Sequence, residues 1–146
     1  MHKIVKLGAD ILNYNPVLET DEVDKLLDKV IPYTGGRYNK EDIKEALHAD
    51  QMQLWLAFDA VNEKIDGLVV SHFCNYPRKK VLTLLLCSGK NLDSWYDPML
   101  ADLEKFAVLN KCSSIETGGR KGWIKRMKKD NYHQKFYLVE KEVCHG

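Results

Sequence analysis

The chain has 146 residues, of which 45% are hydrophobic and 29% charged, and its formal net charge is +1. That length suits one domain, residues 1–146, around one core, and the balance excludes a disordered charged tail or a global attraction to nucleic acid. No apolar run approaches the roughly 18 residues of a membrane-spanning helix; the longest, from Val81 to Cys87, is interrupted by Thr83.

The opening stretch MHKIVKLGADILNYN has no signal-peptide pattern, which predicts a cytoplasmic protein without a membrane partner. Cys74, Cys87, Cys112 and Cys144 form no C-x-x-C pair, and His2, His48, His72, His133 and His145 show no ligand spacing, so no metal site is expected. Cys87 and Cys112 read as small buried hydrophobes of a reducing compartment. Charge is uneven along the chain: Arg120, Lys121, Lys125, Arg126, Lys128, Lys129, Lys135 and Lys141 are set against only Asp130 and Glu140 in that stretch. Such a face is either solvated or able to receive phosphates. It lacks an aromatic stacking pattern and a DNA-reading motif, so nucleic acid is not the expected partner.

Residues 3–6 read as a strand. Val17, Val23, Leu26, Leu27 and Val30 then recur at helical intervals until Pro32, and Tyr33 and Tyr38 flank a loop with Gly35 and Gly36. Asn39 is a predicted N-cap, with Asp42 three residues on and Ile43, Ala46 and Leu47 following at helical spacing. Residues 51–59 suit a strand covered on both faces, residues 65–73 its return, with Gly67 as a bulge or close-approach point, and residues 81–87 an interior strand. After Ser88, Gly89, Lys90 and Asn91 comes a helix carrying Met99, Leu103, Phe106 and Ala107. Asp97 followed by Pro98 is the better cap signal for its start. A strand over 113–116, a basic helix over 120–129 and a closing strand over 134–143 complete the chain. Trp55, Trp95 and Trp123 sit beside apolar neighbours and read as packing residues.

This order predicts an α/β fold with an α+β mixed sheet: a strand and two helices, three antiparallel strands, then helix, strand, helix, strand. Where the parallel half leaves the antiparallel half, the sheet splays into a crevice, the default ligand site. The order resembles the GNAT superfamily of N-acetyltransferases. The segments carrying the resemblance are VLTLLLCSG, a helix with Trp95 near its start and LEKFA in its body, CSSIETGGRKGW, and DNY leading into YLVEKEV. It is most similar to the small, divergent GNAT-like proteins of tailed bacteriophages.

The resemblance implies acetyl-CoA as co-substrate, with its diphosphate on backbone amides at Cys87, Ser88, Gly89, Lys90 and Asn91, and a freed amide near Leu85 or Leu86 facing the thioester oxygen. A helix N-terminus and glycine suit a phosphate there. Arg120 stands where the family often has asparagine, and Met127 where it has a thiol-protonating tyrosine; methionine has no proton to give. Acetyl transfer to an amine needs a base, because an alkylammonium of pKa about 10.4 is protonated at neutral pH. Glu116, at a strand end beside the crevice, is the best-placed base, with His72 and Asp59 behind it. The acceptor is a small-molecule or protein amine whose pocket is either open or completed by a second copy in a homodimer. The alternative is a non-catalytic GNAT-like phage virion or assembly protein.

Overall fold

A computed structural model of the chain describes residues 1–119, 121–136 and 138–144. Strands β1 (His2–Leu7), β2 (Gln53–Asp59), β3 (Lys64–Asn75) and β4 (Lys80–Gly89) pair antiparallel in succession, and β5 (Ser114–Thr117) joins β4 in parallel. Turns suffice to join β2 to β3 and β3 to β4, whereas β1 reaches β2 through the helical segment between residues 8 and 52. The parallel pair needs a crossover, which helix α4 (Leu92–Leu109) supplies. The mixed sheet expected from the element order is therefore present.

Side chains alternate across β2 and β3, and both faces are covered. Leu54, Leu56, Leu68 and Val70 pack under α1 (Ala9–Leu12), α2 (Asp21–Val30) and α3 (Lys40–His48). Trp55, Ala57 and Val69 pack under α4 and α5 (Lys121–Lys128). Two-sided burial is why residues 51–59 show no clean polar alternation. No helix among the described residues is long and apolar enough to cross a membrane.

Asn39 caps α3 in a full capping box: its side chain accepts from the Asp42 amide at 2.8 Å, and the Asp42 carboxylate accepts from the Asn39 amide at 2.9 Å. Asn39→Ala removes the acceptor of the Asp42 amide, leaves the Asn39 amide that donates to Asp42 in place, and is expected to cost about 1 kcal/mol, lowering Tm by roughly 2–4 °C in a thermal melt.

Three expectations are corrected. The helical pattern over 17–30 is broken into a 3-10 turn at Pro16–Glu19 and α2, because Asn15 bonds the Val17 amide and Thr20 donates back to the Val17 carbonyl at 2.7 Å. Helix α4 begins at Leu92 and carries Pro98 inside it. Burial of Trp95 and Tyr96 holds its first turns on the sheet, and the Trp95 indole donates to the Lys90 carbonyl at 2.8 Å, which outweighs the hydrogen bond that Pro98 cannot make. The closing strand over 134–143 is not formed among the described residues, where Phe136, Leu138, Val139 and Val143 are exposed. β5 has only four residues, a short edge against which to order a longer partner. Tyr137 lies outside the described residues.

The bulge expected at Gly67 falls one residue earlier. The β2–β3 register pairs Ala57 with Gly67 and Phe58 with Ile65, leaving Asp66 as the extra residue. Gly67 itself is the close-approach point: a Cβ there would lie 2.3 Å from the Trp95 ring. Gly89, its partner in register, has φ +150° and room for no side chain against the Asp66 carbonyl.

Candidate active site

The β4–β5 pairing runs from Val81 with Ser114 to Leu84 with Thr117, and β4 then continues to Gly89 paired with β3 alone. At the same point the β3–β4 register skips Leu85, pairing Ser71 with Leu84 and Val70 with Leu86. Leu84 packs towards α4, whereas Leu85 and Leu86 both pack on the α2 side, so the bulge changes the strand's phase where the sheet forks. Between the prongs lies a cleft of about 480 Å³ including its open mouth. Leu85, Leu86 and Cys87 line one wall and Thr117, Gly118 and Gly119 another; Tyr33 reaches it from the loop after α2, and Trp123 and Met127 from α5.

The turn at the end of β4 differs from the expected phosphate cradle. The Lys90 amide is already taken, donating to the Asp66 carbonyl at 2.8 Å. Asn91 has left-handed backbone (φ 54°) and donates to the Asp66 carboxylate at 3.3 Å, as His2 contacts it at 2.8 Å. Ser88 is buried, and Gly89 is required by the packing of β3 and Trp95. The donors left for an anion are the Leu92 and Asp93 amides that open α4, the Ser94 amide being taken by the Asn91 carbonyl at 2.9 Å, and the exposed Lys90 ammonium. Asp93 stands on that first turn and pairs with Arg126, which also lies 4.3 Å over the Tyr96 ring. This pairing raises the Arg126 pKa and commits that cation of the basic helix to Asp93. Arg120 lies outside the described residues.

Glu116 on β5 stands opposite Thr83 on β4, one pair before the fork. Its Oε1 accepts from the Tyr76 hydroxyl at 3.0 Å and the Thr83 hydroxyl at 3.1 Å. The carboxylate holds the Tyr76 phenol above its ordinary pKa, so Tyr76 stays a donor. Thr83 Oγ1 is also 3.4 Å from Cys74 Sγ, and that sulfur is 3.7 Å from His72 Nδ1. His72 thus joins the Glu116 cluster through Cys74. Tyr76, Thr83 and Cys74 were not singled out by sequence reasoning. Their signal is positional: His72 and Cys74 alternate on one face of β3, opposite Thr83 and Val81 of β4.

Asp59 lies away from this cluster. It accepts from the Asn62 side chain and from the amides of Val61 and Asn62, which lower its pKa, and it shapes the β2–β3 turn. The fold does bring His2, Asp59 and Asp66 within 4.8 Å of one another, a juxtaposition no spacing rule anticipates. Met127 is buried beneath the cleft. The Tyr132 hydroxyl points to Glu104 on α4 at 3.4 Å, and burial together with that carboxylate raises its pKa. Tyr33 is the tyrosine that lines the cleft among the described residues.

No protein-family model matches the chain, and no curated protein matches it by sequence. Solved structures do match over its whole length. An aminoglycoside acetyltransferase from an uncultured soil metagenomic sample superposes with TM-score 0.70 at 10% identity, covering 99% of each chain. A predicted acetyltransferase from Clostridium acetobutylicum, solved with acetyl-CoA, gives TM-score 0.69 at 13% identity over 97% of this chain and 96% of its own. The chain has the GNAT acetyltransferase fold. A second soil-metagenome aminoglycoside acetyltransferase, in complex with sisomicin, shares this GNAT fold at TM-score 0.68 and 11% identity over 98% of this chain and 97% of its own.

Proposed function

We propose that this protein is an acyl-CoA-dependent N-acyltransferase that takes the acetyl group of acetyl-CoA and delivers it to a small-molecule or protein amine. The observation that carries the reading is the coincidence of the sheet fork with the Leu85 register skip. A pantetheine arm is a slender chain with its own amides, suited to a cleft between two strand edges. A bulge at that point releases a main-chain donor towards a developing oxyanion, which is where electrostatic stabilisation has its largest effect.

In this reading Leu85 or Leu86 offers its amide to the thioester oxygen. The diphosphate rests against the first turn of α4, with Lys90 and Arg126 as the nearby cations. Glu116, steadied by Tyr76 and Thr83, accepts the proton of the acceptor ammonium, and Tyr33 and Tyr38 border the acceptor's approach through the Gly35–Gly36 loop. The aminoglycoside acetyltransferases that share the fold support a polyamine-like small molecule as the acceptor class.

The test is a titration of tryptophan fluorescence with CoA and acetyl-CoA, because Trp123 lines the cleft. Saturable quenching is expected. Its absence at millimolar ligand, checked by calorimetry, overturns the reading. Asp93 occupies Arg126 at the phosphate end, so Asp93→Ala is expected to tighten CoA binding by about two- to fivefold, within the range of exposed ion pairs.

A second reading, a non-catalytic phage virion or assembly protein on the GNAT scaffold, is favoured by two observations: the Lys90 amide is satisfied internally, and Met127 offers no proton where a donor is needed. Turnover against a broad amine panel, followed by release of the CoA thiol, contradicts it.

A further inference from the structure

The direct transfer described above leaves the departing CoA thiolate without a proton donor, and it leaves unused a thiol set beside a base. Alternation along β3 places Val70, His72 and Cys74 on the face towards which Leu85 and Leu86 turn. Cys74 Sγ is 3.7 Å from His72 Nδ1 and 3.4 Å from the Thr83 hydroxyl, which lies one residue before the last β4–β5 pair. The Phe73 carbonyl, 3.4 Å from the same Nδ1, can only accept and so competes for an Nδ1–H; His72 serves as base to Cys74 in the other tautomer, which leaves Nδ1 bare and gives up that contact. We propose that Cys74 is a nucleophile that takes the acyl group from acyl-CoA, so that transfer proceeds through a Cys74 thioester. This rests on the acyl-CoA reading given above.

Thiolate, not thiol, is the attacking species, and an adjacent base is the usual means of forming it. Thr83 has one hydroxyl proton and two acceptors in reach, Glu116 at 3.1 Å and Cys74 at 3.4 Å. With Cys74 protonated, Thr83 donates to Glu116. With Cys74 ionised, it turns to the sulfur and stabilises the negative charge as it forms. In the first half-reaction His72 takes the Sγ proton, the Cys74 S–C bond forms, the C–S bond to CoA breaks, and the His72 proton passes to the CoA thiolate. In the second, the amine nitrogen attacks the Cys74 thioester, the C–S bond to Cys74 breaks, Glu116 takes the ammonium proton, and the Cys74 thiolate is reprotonated through His72. One thioester is exchanged for another and then for an amide, with no external oxidant or reductant. His72 thereby supplies the proton that Met127 cannot.

The experiment is intact-mass spectrometry of the full chain after incubation with acetyl-CoA and no amine, run beside the fluorescence titration with CoA. The expected result is a single acetyl adduct that maps to Cys74 and is released by neutral hydroxylamine. Cys112→Ala and Cys144→Ala retain the adduct, Cys74→Ala abolishes it while CoA still quenches tryptophan fluorescence, and His72→Gln slows its formation on the order of 10²-fold. If CoA binds and no adduct forms, or if the acetyl group is found on Cys87 or on lysines and persists in Cys74→Ala, the thioester proposal is overturned while the acyltransferase reading stands. If CoA does not bind, both fall.

Discussion

Glu116→Gln is expected to lower kcat for acetyl transfer by about 10²–10⁴-fold, the usual contribution of a positioned general base, with little change in the affinity for CoA. The amide keeps the shape of the carboxylate and can still accept from Tyr76 and Thr83, so both donors stay satisfied. What is lost is the group that removes the ammonium proton. The loss falls on kcat because a protonated amine binds but does not attack. Raising the pH supplies free amine from solution, so the deficit of the variant should shrink as the pH approaches the pKa of the acceptor. A deficit that stays constant with pH, or a variant that acetylates at the parental rate, removes Glu116 from the chemistry. The readout is CoA thiol release against an amine panel, with circular dichroism confirming that the variant is folded.

Gly67→Ala is expected to destabilise the fold by about 3 kcal/mol, lowering Tm by roughly 6–12 °C. The added Cβ would meet the Trp95 ring at 2.3 Å, and the indole has nowhere to retreat: it is 1% exposed and tethered through its nitrogen to the Lys90 carbonyl. The glycine on the facing strand, Gly89, closes the same space from the other side. Trp95→Ala alone costs about 3–5 kcal/mol through the cavity it leaves. In that background the cavity accepts the new methyl group, so Gly67→Ala becomes nearly neutral, and the double-mutant cycle shows strong coupling. A parental Tm for Gly67→Ala contradicts the packing described. The same contact bears on function, because Trp95 fixes the first turn of α4 against the end of β4, where a diphosphate would rest.

Much of this architecture is legible in the chain itself. The hairpin strands, α3 with its Asn39 cap, and the crossover helix with Met99 and Leu103 on its buried side follow from periodicity and turn chemistry. The start of α4 does not, because Pro98 is the strongest local signal and tertiary burial of Trp95 overrides it. Gly89 shows why a motif residue is ambiguous: the requirement for glycine is real, yet it is set by the Asp66 carbonyl and the Trp95 ring. The fork is half legible. The apolar run from Val81 to Cys87 marks the strand, but the skipped residue at Leu85 depends on register, which single-strand patterning does not carry. Glu116 is visible as a polar residue at a strand end. Its partners Tyr76, Thr83 and Cys74 come from other strands and a turn, and only pairing brings them together.

The central claim is that the fork between β4 and β5 receives an acyl-CoA. A crystal structure of the protein with CoA or acetyl-CoA tests it most directly. The pantetheine arm should run between Leu85–Cys87 and Thr117–Gly119, with the thioester oxygen within hydrogen-bond distance of the Leu85 or Leu86 amide and the diphosphate on the first turn of α4. A CoA bound elsewhere, or a cleft that is empty at saturating CoA, contradicts this placement.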